Sequence, residues 1–418
     1  MTHPLPASTS PVIGEQRVPG SKSETNRALV LAALGNGPSR ISGALASRDS
    51  DLMMGALREF GVDVRAEGRE LVVTPPAQFR GGGRIDCGLA GTVMRFVPPF
   101  ALLADGPVAF HGDPHASQRP MAPLLDGLRQ LGAAVNADAL PFTVSPPTSD
   151  GQNRVEVGVD ASESSQFVSG LLLIGARLPQ GLTVRHTGST LPSRPHIDMT
   201  VRMLRDRGVR VDEPSATAWR VHPGVIAAVD STVEPDLTNA AVFLAAGALT
   251  EGRVTVPGWP SSSIQPGALF LEIAERMGAV VERHGDAVSV GARGPLHGID
   301  VDLSTASELT PVVAALGGLA DGTTTIRGVA HIRGHETDRL AAIVTELTRL
   351  GGQAEETPDG LTMVGRPLRG GEIHTYADHR MVHFAALLAL QVPGISVTDL
   401  DCVSKTMPDF ATDWAALL

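Results

Sequence analysis

Residues 21–37 read "SKSETNRALVLAALGNG": a polar start, nearly three apolar helical turns, and a stop at Gly-Asn-Gly. The Ala, Leu and Val run is apolar on nearly every side, so the spacing predicts an interior helix. The same design recurs five times. "AGTVMRFVPPFALLADG" begins at 90, "SSQFVSGLLLIGARLPQG" at 164 and "DLTNAAVFLAAGALTEG" at 236. "SELTPVVAALGGLADG" begins at 307 and "DHRMVHFAALLALQVPG" at 378. Measured from Lys22, Gly91, Ser164, Asp236, Ser307 and Asp378, the steps are 69, 73, 72, 71 and 71 residues. Six units of roughly 70 residues account for the whole chain of 418.

After each buried-helix signature comes a short β-like stretch, such as "SRISG", "VAFHG" or "TTTIRG", and then an amphipathic segment. Five of these segments close on Gly: "LREFGVDV", "LRQLGAAV", "LRDRGVRV", "AERMGAVV" and "LTRLGGQA". Glycine past the last apolar position stops a helix, and the β-branched residues behind it start a strand. The sixth, "MPDFATDWAALL", runs to the C-terminus. Each unit therefore reads strand–helix–strand–helix–strand with a further short strand, which makes the chain α/β. Six units exceed one core, so a three-plus-three division is expected, broken near "STVEPD" at 231–236. The domains expected are 21–234, and 1–20 with 235–418.

The polar fronts of the apolar helices carry cations. Lys22 and Arg27 flank the first, where exposed N–H groups and the helix dipole already favour an anion. The loops before the amphipathic helices add Arg48, Arg119, Arg194, Arg333 and Lys405, which read as a binding ring for phosphate or carboxylate groups. If helix starts from both domains converge, they form one anion-binding cleft.

Other chemistries find no support. Ser21 stands between Gly20 and Lys22, so the Gly-Lys step of a nucleotide-binding P-loop is missing. The histidines at 331, 335, 374, 379 and 383 lack metal-ligand spacing, and no Gly-x-Ser-x-Gly elbow occurs. Two cysteines, Cys87 and Cys402, make no disulfide framework. A net charge of −11 and 4% aromatics argue against a nucleic-acid surface, and no long apolar run suggests a membrane span. A start without a basic, apolar leader points to the cytoplasm. Small-molecule substrates, a monomer, no metal and no cofactor are expected.

The motifs "PGSKSETNRALVLAAL", "GLAGTVMR", "SQRPM", "SSQF", "SRPHID", "GHETDR", "ADHRM" and "SKTMPDF" together resemble the 5-enolpyruvylshikimate-3-phosphate synthase family, in order and over essentially the full chain. The resemblance implies two domains of three βαβαββ repeats, an inside-out α/β barrel with buried helices, and an active site in the interdomain cleft. It implies transfer of the enolpyruvyl group of phosphoenolpyruvate to the 5-hydroxyl of shikimate 3-phosphate through a tetrahedral intermediate, with release of phosphate. The sister transferase acting on UDP-N-acetylglucosamine usually has a reactive Cys in the loop equivalent to "GDPHASQRPM", and none is present.

By the same resemblance, phosphoenolpyruvate is held by Lys22, Gly91, Arg119, Gln166, Arg339, Arg380 and Lys405. Shikimate 3-phosphate is held by Lys22, Ser23, Arg27, Ser164, Ser165, Gln166, Ser193, Glu308 and His335. Glu308 and Glu336 are the implied catalytic carboxylates, with Glu308 near the attacking hydroxyl, Glu336 near the methylene, and Lys22 as a third candidate. The chain differs from the family's usual pattern at Leu89 (Asn), Glu308 (Asp), His335 (Lys) and His196 (Tyr). Glycine at 91 implies sensitivity to glyphosate.

Overall fold

The computed structural model describes residues 2–148 and 155–418. They divide into two compact units: Gly20–Val233, and the N-terminal stretch through Pro19 joined with Glu234–Leu418.

Gly20–Val233 contains α1 (Lys22–Ala33), α2 (Arg48–Glu59), α3 (Gly91–Phe96), α4 (Ala122–Gln130), α5 (Gln166–Gly175) and α6 (Arg194–Arg205). Ser21 caps α1 by accepting the Glu24 N–H, and every residue from Thr25 to Ala33 is buried. α3 is buried throughout, and α5 from Phe167 onward. α1, α3 and α5 pack on one another, so this helical layer is the core. Each fully buried Leu, Val or Phe contributes roughly 1.5–3 kcal/mol. The outer helices bury one stripe each: Met53 and Leu57 on α2, Leu124 and Leu128 on α4, Ile197, Val201 and Leu204 on α6. Gly61, Gly132 and Gly208 follow these helices at φ of 86°, 90° and 77°, the left-handed stop that the sequence signature requires.

The three sheets of this unit share one connection pattern. Arg84–Asp86 lies parallel to Val108–His111, which pairs antiparallel with Phe142–Ser145, itself paired with Ala134–Val135. Glu156–Val159, Leu182–His186, Ala218–Val221 and Val211–Ser215 repeat that order. In the third sheet Ser39–Ser42, Glu70–Thr74 and Asp63–Glu67 are consecutive, but the parallel strand is Ser231–Thr232, from the far end of the unit.

The second unit carries α7 (Leu237–Leu249), α8 (Phe270–Arg276), α9 (Thr310–Leu319), α10 (Arg339–Arg349), α11 (His379–Gln391) and α12 (Phe410–Leu417). Its core is α7, α9 and α11, packed together. Gly247 lets α7 lie close against its sheet: a Cβ there would stand 2.4 Å from the Val290 carbonyl oxygen and 2.7 Å from the Val254 nitrogen. On α12, Phe410 and Trp414 stack at 5.4 Å and cover Phe243 of α7.

Its sheets follow the same order, again with a borrowed strand. Ile13–Glu15 is the parallel partner of Arg253–Pro257. Asp300–Asp302 opens the next sheet beside Thr323–Arg327. The last sheet has three strands: Glu372–Ile373, Ser396–Val397 and, antiparallel to the latter, His3–Pro4. The reading of each sheet as one continuous stretch of about 70 residues therefore needs correction. Three edge strands come from the N-terminus or from residues 231–232. They are only two or three residues long, too short for a periodic signal.

Among the described residues no helix is long and apolar enough to cross a membrane.

Candidate active site

In the unit through Pro19 and from Glu234, the N-terminal ends of the three core helices meet. Arg380, in the first turn of α11, donates through Nη1 to Asn239 Oδ1 on α7 at 3.2 Å and through Nε to Glu308 Oε2, just ahead of α9, at 3.2 Å. Arg339 opens α10 and is almost completely buried. Its Nε donates to Asp378 Oδ2 at 2.7 Å, Nη1 to Glu308 Oε2 at 2.8 Å and Nη2 to Glu336 Oε2 at 2.9 Å. Lys405 donates to the other Glu336 oxygen at 2.5 Å. Asp378 also caps α11, accepting the Arg380 N–H at 2.9 Å.

Three cations thus face three carboxylates, and the cluster neutralises itself. Burial alone would raise the Glu308 carboxyl, but the charges of Arg339 and Arg380 outweigh it and hold it well below the usual carboxylate range. Burial would lower Arg339, but Asp378, Glu308 and Glu336 hold it well above the usual value. His335 Nδ1 lies 3.1 Å from Arg339 Nη1, so Nδ1 accepts. Burial and then Arg339 push this ring down to about 3, so it is neutral. His331, bonded to Ser307 Oγ at 2.9 Å, is pushed down to about 4, chiefly by burial.

Within Gly20–Val233 the helix starts also adjoin. Asn26 of α1 donates to Thr92 of α3 at 2.5 Å. Arg27 is buried and donates to Thr200 Oγ1 at 2.7 Å, to the Ser23 and His196 carbonyls at 2.9 Å, and to Ser169 Oγ at 3.3 Å. It binds α1 to α5 and α6, and burial lowers it to about 9. Lys22 Nζ lies 3.5 Å from Asp49 Oδ2 on α2.

Arg119 ends a 3₁₀ turn and donates through Nη1 to the Leu89 carbonyl at 3.1 Å, while its Nε is buried without a hydrogen-bond partner. Gly91 lies against it: a Cβ there would stand 3.2 Å from both Arg119 Nη atoms and 3.0 Å from Arg95 Nη1. Arg95 in turn donates to the Pro120 carbonyl at 3.0 Å. Ser164 and Ser165 precede α5, with Ser164 Oγ accepting the Gln166 N–H at 3.3 Å. The preceding loop is tied down by Ala161 N–H donating to His186 Nδ1 at 3.1 Å. Ser193, at φ 50°, is the cap residue of α6.

Glu308, Glu336, Arg339, Arg380, Lys405 and His335 therefore form one cluster. Lys22, Ser23, Arg27, Gly91, Arg119, Ser164, Ser165, Gln166 and Ser193 stand at or beside the starts of α1, α3, α5 and α6, linked by shorter chains of contacts. The expected ring of loop cations holds only in part. Arg48 pairs with Asp113, Arg194 with Asp198 and Glu213, and Arg333 with Asp338 and Glu356, all at the surface. Asp378, Asp49, Asn239 and Arg95 went unassigned in the sequence. The repeat offered one signal: Asp378 and Asp236 cap equivalent helices. Among the described residues no cluster suited to a metal ion is present.

The family model for EPSP synthase (3-phosphoshikimate 1-carboxyvinyltransferase) matches residues 6–414. The fold resembles that of an EPSP synthase from Acinetobacter baumannii at 24% identity and a TM-score of 0.81, over 100% of this chain and 98% of that one. It also resembles the enolpyruvyl transferase NikO from Streptomyces tendae at 20% identity and a TM-score of 0.78, over 100% and 98%. At these identities the structures speak to fold, and the family match speaks to membership.

Proposed function

The chain belongs to the EPSP synthase family, and from that premise we propose which of its groups carry the reaction. The reaction itself is enolpyruvyl transfer from phosphoenolpyruvate to shikimate 3-phosphate with release of phosphate. In the proposed course the 5-hydroxyl oxygen bonds to C2 of phosphoenolpyruvate and gives up its proton, while the methylene carbon gains one. The tetrahedral adduct then loses a methyl proton, the C–O bond to phosphate breaks, and the double bond re-forms.

Arg339, Arg380 and Lys405 would take the anionic groups of phosphoenolpyruvate, as would Lys22, Gly91, Arg119 and Gln166. Guanidinium forks suit carboxylate and phosphate because each offers paired donors. Lys22, Ser23, Arg27, Ser164, Ser165, Gln166, Ser193, Glu308 and His335 would serve shikimate 3-phosphate. Groups of both compact units would thus serve one reaction, each unit being read as a domain of three βαβαββ repeats that forms an inside-out α/β barrel.

The observation that carries this reading is the self-neutralised cluster. Each cation holds a carboxylate oxygen of the protein where a substrate oxygen would sit. An incoming dianion exchanges with Glu308 and Glu336 rather than filling an empty charge. Released from two guanidiniums, Glu308 regains basicity and takes the hydroxyl proton, while Glu336 serves the methylene. Glycine at 91, where any Cβ would press on the Arg95 and Arg119 guanidinium ends, is the feature that supports sensitivity to glyphosate. A monomer in the cytoplasm remains part of the proposal.

The test is to mix the purified protein with phosphoenolpyruvate and shikimate 3-phosphate, assay free phosphate and identify the enol ether by proton NMR. No phosphate above background from folded protein would remove the reading.

A further inference from the structure

The chain has one tyrosine, Tyr376, and it stands in a turn poorly suited to it. Thr375–Asp378 closes on itself, the Asp378 N–H donating to the Thr375 carbonyl at 2.9 Å. The two central residues, Tyr376 and Ala377, have φ of 54° and 55°. Two successive left-handed residues mark a primed turn, where Asn and Gly are at home and a side chain with a Cβ is strained. This turn has neither, so its shape must be held from outside.

That hold is visible. The Tyr376 hydroxyl donates to Glu346 Oε1 at 2.6 Å. Glu346 is fully buried on α10, with its second oxygen 3.0 Å from Arg349 Nε. Arg349 Nη2 also donates to Glu346 Oε1 at 3.3 Å, so the oxygen that receives the Tyr376 hydroxyl has two donors, while Oε2 is held by charge alone and has no hydrogen-bond partner. Burial and the Glu346 carboxylate push the hydroxyl up to about 12, so it stays protonated and donating at ordinary pH.

The turn ends at Asp378, whose carboxylate receives Nε and Nη2 of Arg339 at 2.7 and 3.3 Å. Arg339 and Glu346 lie on the same helix, seven residues apart. The strained pair is therefore fastened to α10 on both sides: by Tyr376 to Glu346, and by Asp378 to Arg339.

We propose that Tyr376 is a positioning residue, whose bond to Glu346 holds the strained turn that aims Asp378 and thereby sets Arg339 for the phosphoenolpyruvate anion. This rests on the function proposed above. Arg339 cannot be aimed by Asp378 unless the turn is fixed, because the carboxylate moves with its backbone. Small displacements of a positioning group have large kinetic effects.

Tyr376→Phe removes only the hydroxyl. The KM for phosphoenolpyruvate is expected to rise about fivefold or more, while kcat and the KM for shikimate 3-phosphate stay within about twofold. A purely structural role would move neither KM selectively. Adding Ala377→Gly, which relieves one of the two left-handed positions, should return the phosphoenolpyruvate KM part of the way toward the wild-type value. An unchanged KM in folded Tyr376→Phe, or a raised KM that Ala377→Gly leaves in place, overturns the proposal. If wild type releases no phosphate, the functional reading fails instead. Calorimetric binding of inorganic phosphate to wild type and Tyr376→Phe then decides the turn: weaker binding in the variant supports it, and equal binding overturns it.

Discussion

Arg339 Nε and Asp378 Oδ2 are 2.7 Å apart, and both side chains are essentially withdrawn from solvent. Asp378 holds a cation that also grips Glu308 and Glu336, and it caps α11 with the same carboxylate. Removing Asp378 takes two hydrogen bonds from a buried guanidinium that keeps Glu308 and Glu336, and breaking a buried pair costs up to about 3–5 kcal/mol. Asp378→Ala should therefore lower unfolding free energy by several kcal/mol in urea titration, with phosphoenolpyruvate turnover falling at least about 100-fold. Wild-type stability in that variant would count against the arrangement.

Glu308→Gln separates binding from catalysis. Loss of a general base is expected to cut kcat by about 100- to 10,000-fold. The same change removes the protein's own competitor for Arg339 and Arg380, so phosphoenolpyruvate and inorganic phosphate should bind more tightly, by roughly tenfold if one unit of repulsion worth about 1.4 kcal/mol is lifted. Calorimetry checks this, and weaker anion binding in Glu308→Gln would contradict the exchange of carboxylate for substrate.

Gly91→Ala places a Cβ 3.0–3.2 Å from the guanidinium ends of Arg95 and Arg119. Those flexible ends give way more easily than backbone, so the fold should survive with Tm within a few degrees. The displaced Arg119 should raise the KM for phosphoenolpyruvate by about tenfold. A KM equal to wild type would mean that Arg119 does not touch the substrate.

Acid should destabilise the protein through histidines that are buried neutral. His335 and His331 sit at about 3 and 4, and burial lowers His383 well below the usual value. The unfolded chain takes these protons near pH 6.5, while the folded protein does not. Stability is therefore intact above about pH 6.5 and declines as pH falls toward 4, by up to about 1.4 kcal/mol per pH unit for each such ring. His383 lies against Phe410 at 5.1 Å, with Arg380 and Arg339 as the charged groups acting on it, and neither ring nitrogen has a hydrogen-bond partner. His383→Leu should flatten the slope by about one ring's share. An unchanged slope in chemical denaturation from pH 6.5 to 4.5 would show that His383 is not the group responsible.

Several features of this protein are local and could be read from the chain alone. The apolar runs at 28–34 and 384–390 are buried because no face of either stretch could tolerate water. The stops at Gly61, Gly132 and Gly208 follow from backbone freedom at single residues. The six-fold period, the α/β class and the concentration of cations at helix starts are patterns of residue order along the chain, and the quoted motifs carried the family likeness.

Only the folded chain decided which partners those local pieces would take. Ser231–Thr232 joins a sheet begun nearly 200 residues earlier, and His3–Pro4 pairs with Ser396–Val397, because two-residue strands are specified by the edge they meet and not by their own pattern. Arg48, Arg194 and Arg333 look like Arg119 in sequence, yet they end in surface pairs. Helical spacing announces a pair such as Arg194–Asp198, but the distant partners of Arg48 and Arg119 are whichever carboxylate or carbonyl the tertiary packing brings within about 3 Å.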